Sequence, residues 1–196
     1  MSYNLGYESE KTLEDNLIKQ LCADGYEFVE INDIDDLHKN FRKQINKHNA
    51  SRLNGHELSD KEFERLLVKI QGKGVYGSSK TLRSLQDITM DDGSTQYVEL
   101  FNTKNNEWCK NEFQITHQVT MIGKYENRYD VTLLINGLPL VQIELKRRGI
   151  DFKEAFNQVI RYKKHSLNDL FRYVQIFIIS NGIDTKYFAN SDKEMD

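Results

Sequence analysis

Apolar residues recur along this chain at two spacings, and the change falls near residue 96. Before it the spacing is helical. Leu13, Leu17, Ile18 and Leu21 share one stripe, which predicts an amphipathic helix over 9–23. Gly25 ends that helix, and Tyr26–Glu30 reads as a strand. A second helix with a polar end is predicted over 34–48. Ser59-Asp60-Lys61-Glu62 is a capping box, so a helix should begin there and run to about Ile70. Gly72, Gly74 and Gly77 mark a loop, with a short helix after it at 79–86. From 96 onward the period drops to two. Gln96–Phe101, Glu112–Ile122, Tyr129–Ile135, Pro139–Lys146 and Tyr173–Ser180 read as strands. Between the last two lies a helix at 151–165, with Phe152, Phe156, Val159 and Ile160 as its core stripe. Helices first, then a sheet flanked by helices, predict one α/β domain over residues 1–196.

Composition supports a real core: 38% of the residues are hydrophobic and 11% aromatic, against 29% charged. No run of about 18 apolar residues offers a membrane span, so no membrane partner is expected. The N-terminus lacks a basic start followed by an apolar stretch, which reads as no secretory signal. Cys22 and Cys109 form no CxxC, which fits free buried thiols in a reducing cytosol. The net charge of −3 does not announce a polyanion binder, but its distribution says more. Residues 142–165 carry Lys146, Arg147, Arg148, Lys153, Arg161, Lys163 and Lys164 against Glu144, Asp151 and Glu154. That window is +4 and the rest of the chain −7. A basic patch on an acidic body can serve a polyanion, although a solvated helix face gives the same count.

Several familiar signals fail. Gly72-Lys73-Gly74-Val75-Tyr76-Gly77-Ser78-Ser79 imitates a phosphate-binding loop, but no lysine follows Gly77 and no apolar strand precedes it. His38, His48, His56, His117 and His165 show no paired-ligand spacing and read as surface residues. There is no GxSxG nucleophile elbow.

One stretch carries chemistry. Two apolar runs flank Asn136-Gly137, a strong hairpin signal. A plain two-residue turn would set Asp130 opposite Ile143 and mix carboxylates with apolar residues on both faces. A three-residue loop at 136–138, or a longer odd-length one, sorts them: Val131 faces Ile143, Leu133 faces Val141 and Ile135 faces Pro139. On the other face Asp130 then meets Glu144, Thr132 meets Gln142 and Arg128 meets Lys146. Carboxylates that start about 5 Å apart at Cβ repel unless a proton or cation lies between them. Mg²⁺ suits such a pair, completed by water and phosphate oxygens. Lys146 projects from the same strand face as Glu144 and could hold a scissile phosphate or orient an attacking water. This is chemistry for phosphodiester hydrolysis. Alternating charges on a strand are also a common wet face, and the aspartate placed opposite is what favours catalysis.

Asp130…Glu144-Leu145-Lys146 resembles the PD-(D/E)xK nuclease signature without the proline before the aspartate. Asn136-Gly137-Leu138-Pro139-Leu140 and Ile143-Glu144-Leu145-Lys146 resemble the N-terminal nuclease domain of type I restriction enzyme R (HsdR-type) subunits. Gln158 and Tyr162 match that family's QxxxY element, Glu10 through Tyr26 looks like its opening helix, and Ile178–Gly182 looks like its closing strand and turn. Residues 33–95 match no part of the pattern. The resemblance implies a restriction-endonuclease-like mixed sheet flanked by helices. It implies Mg²⁺-dependent cleavage of double-stranded DNA, with Mn²⁺ as a substitute and Asp130 and Glu144 as ligands. Its partners would be specificity and methyltransferase subunits in a bacterial or archaeal cytoplasm. ATP would enter only through motor domains absent from this chain, which then reads as an N-terminal fragment of a longer subunit. Gln158, Tyr162 and the adjacent Arg161 would hold DNA or brace the site. Glu14 is either an extra acidic group of the site or a first-turn residue favoured by the helix dipole. The rival reading is a non-catalytic module of nuclease fold that docks DNA or partner subunits.

Overall fold

The computed structural model describes residues 9–71, 74–104, 110–122, 126–165 and 167–191, with the backbone alone at Glu126, Lys164 and His165. The first helices start where their caps are. Ser9 accepts from the Thr12 amide at the head of α1 (Glu10–Ala23), and Asp33 accepts from Asp36 at the head of α2 (Ile34–His48). In α3 (Asp60–Ile70) both bonds of the Ser59–Glu62 capping box form. Next comes α4 (Gly74–Arg83), which replaces the loop expected from Gly74 and Gly77. Gly72 and Lys73, the rest of that expected loop, lie outside the described residues. Thr81 and Leu82 are buried at the end of α4, so tertiary burial outweighs the weak helix propensity of the glycines.

The short strand β1 (Glu27–Phe28) precedes α2, and β2 (Gln86–Thr89) with β3 (Thr95–Val98) forms a separate antiparallel pair. The main sheet adds β4 (Phe113–Ile122), β5 (Glu126–Ile135), β6 (Leu138–Leu145), β7 (Ile176–Ser180) and β8 (Thr185–Ala189). Its order is β1-β4-β5-β6-β7-β8. β4, β5 and β6 form an antiparallel meander. α5 (Phe152–His165) then carries the chain to β7, parallel to β6. The sequence missed two features here. Asp169–Tyr173 forms a 3-10 helix that buries Leu170, Phe171 and Tyr173, so β7 starts later than Tyr173. β8 is an edge strand with mostly exposed side chains, and so has no apolar alternation to reveal it.

The sheet is covered on both faces. Leu13, Leu17, Ile18 and Leu21 of α1 pack against Ile115, Val131, Ile143 and Leu145. The larger core lies on the other face, where α2, α3 and α5 bring Phe41, Ile45, Leu66, Ile70 and Val159 together with Phe171, Phe177 and Ile179. The buried stripe of α5 is Ala155, Val159 and Tyr162; Phe152, Phe156 and Ile160 are half-buried at its side.

The β5–β6 hairpin corrects the expected loop. Asn136 and Gly137, with φ of 50° and 80°, form a two-residue turn that pairs Ile135 with Leu138 and Leu134 with Pro139. A bulge then admits Leu140 as an extra residue, and Leu133 pairs with Val141 and Val131 with Ile143. The register beyond the bulge is the one that an odd-length loop would give. Pro139 beside the bulge has no amide to lose from the ladder. Asn136 is fully buried; its Nδ2 donates to the Leu100 carbonyl at 2.9 Å and its Oδ1 accepts from the Glu112 amide at 2.8 Å.

Gly137 is required by space as well as by φ, because a Cβ there would lie 2.7 Å from the Cα of Phe41. Gly137→Ala should therefore cost about 2 kcal/mol or more, since strain and overlap with backbone add. In a thermal melt this appears as a fall in Tm of roughly 4–8 °C. An unchanged Tm would show that α2 does not clamp the turn.

Candidate active site

Asp130 and Glu144 sit one step beyond the Val131–Ile143 pair, on adjacent strands. Asp130 Oδ2 accepts the backbone N–H of Leu145 at 2.8 Å, so its carboxylate lies against β6 beside Glu144. Glu144 Oε1 accepts from Lys146 Nζ at 2.7 Å. The face expected to be wet is interior: Thr132, Gln142 and Glu144 are each 0% exposed. Thr132 and Gln142 bond to each other at 2.8 Å. Glu144 Oε2 is buried with no hydrogen-bond partner.

Burial dominates the electrostatics. Burial, then the like charge of Asp130, pushes the Glu144 carboxyl up to about 8, although Lys146 pulls the other way. Asp130 is also raised by burial, against the Leu145 amide and Lys146. Burial lowers the Lys146 ammonium, but Glu144 and then Asp130 outweigh it and raise it overall. Two carboxyl groups that resist ionisation together, one with an orphaned buried oxygen, form a donor set that suits a hard divalent cation. Among the described residues no three His, Cys, Asp or Glu side chains form a metal cage. An ion here would rest on Asp130 and Glu144 and complete its shell with water and substrate oxygens.

α5 supports the site from the larger core. Tyr162, outside the stripe expected from the apolar spacing, is 1% exposed and belongs to the helix's buried face. Its hydroxyl donates to the Arg128 carbonyl at 3.1 Å and accepts from Gln158 Nε2. Its ring meets Tyr129 edge-on at 4.8 Å. That geometry braces β5 two residues before Asp130. Arg161 is exposed, its guanidinium 5.8 Å from the Tyr162 ring centroid.

On the opposite face α1 brings Glu14, only 6% exposed, against β4, where it meets His117 and Gln118. Glu10, one turn earlier, accepts from the Arg147 amide at 3.1 Å, just past Lys146. Sequence reasoning missed His117, Gln118 and Glu10. The i, i+4 spacing of Glu10 and Glu14 was a usable signal; nothing marked His117 or Gln118. The histidines read as surface residues also differ. His38, His48 and His117 are half-buried, with His38 at 2.6 Å from Asp169. The side chain of His165 and all of Cys109 lie outside the described residues; Cys22 is a free thiol packed against the α1 cluster.

A six-stranded mixed sheet with helices on both faces, carrying paired carboxylates and a lysine on its central strands, is restriction-endonuclease-like. The chain belongs to the family described as type I restriction enzyme R protein N terminus, whose model matches residues 7–195. That match includes residues 33–95, which the sequence pattern alone left unplaced. The chain is 53% identical over 189 residues, 96% of its length, to the type I restriction enzyme SsaAORF53P endonuclease subunit of Staphylococcus saprophyticus. It is 52% identical over 97% of its length to the SauMSSORF170P endonuclease subunit of Staphylococcus aureus. It spans 20% of each of these relatives. To the EcoprrI endonuclease subunit of Escherichia coli it is 41% identical, over 95% of this chain and 60% of that one. Among the described residues no helix is long and apolar enough to cross a membrane.

The raised Glu144 carboxyl gives a pH prediction for the metal-free chain. The folded state keeps a proton up to about pH 8 that an ordinary carboxyl releases near 4.5. The folded form thus binds more protons across that window, and stability falls as pH rises through it. Glu144→Gln removes this slope, so its Tm should exceed the wild-type value at pH 8 and approach it at pH 5. Parallel melting curves against pH would count against the assignment.

Proposed function

We propose that this chain is the endonuclease domain of a type I restriction enzyme subunit and hydrolyses phosphodiester bonds of double-stranded DNA with Mg²⁺ or Mn²⁺. The observation that carries the reading is the Asp130–Glu144 pair beside Lys146, with Asp130 half-buried and Glu144 fully buried and short of one hydrogen bond. Asp130 and Glu144 would hold the ion, which supplies Lewis acidity and a more acidic water. Burial keeps both carboxylates with few competing partners. The Leu145 amide fixes the Asp130 carboxylate by one oxygen and leaves the other for a ligand. Lys146 offers its ammonium as a donor, to a phosphate oxygen or to a water beside it. Gln158 and Tyr162 brace β5, and exposed Arg147, Arg148 and Arg161 can meet the DNA backbone.

The rest of the reading follows the relatives, which are about five times longer in the staphylococci. Motor domains beyond this one would use ATP, and specificity and methyltransferase subunits would choose and mark the DNA, all in the cytoplasm. The chain itself is net acidic, with its basic surplus in one window. Its own DNA binding should be phosphate-driven, weak and salt-dependent.

The decisive experiment is cleavage by the assembled enzyme carrying single substitutions in the site. Asp130→Asn, Glu144→Gln and Lys146→Ala should each reduce cleavage by about a hundredfold or more. Calorimetry should show Mn²⁺ binding weakened in the first two and little changed in the third. Full cleavage by Asp130→Asn would favour a docking module of nuclease fold. Tyr162→Phe should cost about 1 kcal/mol of stability and slow cleavage without loss of metal binding, because the brace and not a ligand is removed. The isolated chain with Mg²⁺ should give faint nonspecific nicking of supercoiled plasmid or none. Discrete site-specific bands would instead mark an autonomous nuclease.

A further inference from the structure

α1 is amphipathic, yet its most buried residue is a carboxylate. Leu13, Leu17, Ile18 and Leu21 are only half-buried, whereas Glu14 is 6% exposed. An apolar residue there would contribute more to stability than a buried charge. Two consecutive residues of β4 hold that charge. His117 Nδ1 lies 2.8 Å from Glu14 Oε1, and Gln118 Nε2 donates to Glu14 Oε2.

The backbone is also strained there. Gln118 has φ 54°, the left-handed region, in the middle of a strand. A side chain in that region costs about 1 kcal/mol or more and persists only where the surroundings enforce it. Side-chain alternation slips at the same point on both strands. Ile115 packs with α1, but Val119 and Met121 join the opposite core. Val131 packs with α1, but Tyr129 joins the opposite core. The pairs His117–Val131 and Val119–Tyr129 flank Gln118 and Asp130, which therefore face each other at the slip.

We infer that His117 and Gln118 are positioning residues of the active site: they clamp the Glu14 carboxylate beside Asp130, where its negative charge strengthens the pull on a divalent cation. This rests on the nuclease reading above. Gln118, which holds the Glu14 carboxylate, stands opposite Asp130 in the β4–β5 register. Freed from the clamp, Glu14 could swing toward solvent, and its field at Asp130 would weaken with distance.

The test is Mn²⁺ binding by calorimetry on the chain, with cleavage by the assembled enzyme in parallel. Glu14→Gln and His117→Leu should each weaken Mn²⁺ binding by about tenfold, as loss of groups around a metal's ligands does. They should lower kcat with little change in KM for DNA. His117→Asn, which keeps a donor near the position of Nδ1, should restore both to within about twofold of wild type. Gln118→Gly separates positioning from plain stability, because it removes the donor and relieves the strained φ together. Its Tm should stay within a few degrees of wild type or rise, while Mn²⁺ binding weakens. If His117→Leu fails to fold, Gln118→Gly decides alone. Wild-type affinity and kcat in Gln118→Gly would overturn the clamp and leave the nuclease reading standing. A wild-type protein that neither binds Mn²⁺ nor cleaves would overturn both.

Discussion

The two-residue turn at Asn136 and Gly137 sets which side chains of β5 and β6 meet, and the site depends on that register. Sheet side chains alternate, so a slip of one residue would move Glu144 to the α1 face and set Ile143 beside Asp130. Two devices prevent it. The buried Asn136 side chain ties the turn to the backbone of Leu100 and Glu112, and Phe41 of α2 lies against Gly137. The bulge at Leu140 then shifts the pairing by one residue. Val131, Ile143 and Leu145 enter the apolar α1 cluster, and Asp130 and Glu144 meet beyond it. α2 thus helps to place the carboxyl pair at the far end of the hairpin by packing against the turn.

Once the register holds, burial decides the electrostatics. A fully buried glutamate with one ammonium and one unpaired oxygen is a poor stabilising element. An apolar residue of similar size would suit the core better, and its absence is the physical argument for a functional carboxylate. The same holds for Glu14 under α1. Both acids stand where the chain gives up stability to keep a carboxyl group near Asp130. A divalent cation would relieve that repulsion on binding, so affinity and apo stability oppose each other here.

Much of this was legible in the sequence because it rests on local rules. Ser59 and Glu62 announced α3, the Leu13–Leu21 stripe announced α1, and the apolar alternation around Asn136-Gly137 announced the hairpin and its final register. The mechanism of the register was not legible: a loop of odd length and a tight turn with a bulge place the same residues together. What escaped depends on long-range contacts. α4 forms through a glycine-bearing segment because its end is buried, and β8 lacks a pattern because it is an exposed edge. Tyr162 lies outside the stripe that the apolar spacing of this helix picks out, yet Tyr129 of β5 packs edge-on against it. His117 and Gln118 showed nothing, since their significance lies in a partner about a hundred residues away and in a φ that no spacing encodes.

The two helices that flank the site act on it from opposite faces, and their roles differ in kind. α5 sends a neutral hydroxyl to the Arg128 carbonyl, a bond that fixes backbone position without adding charge. α1 sends carboxylates, Glu10 to the amide after Lys146 and Glu14 to the strand opposite Asp130. One face therefore supplies rigidity and the other supplies field. The slip in alternation at Gln118 and Asp130 makes this possible, because it lets Tyr129 anchor in the larger core while Val131 stays with α1. Asp130 is left between two packed clusters, in a strand held from both sides. A carboxylate so placed has little freedom to turn away from its neighbours, which is what a preorganised charged site requires.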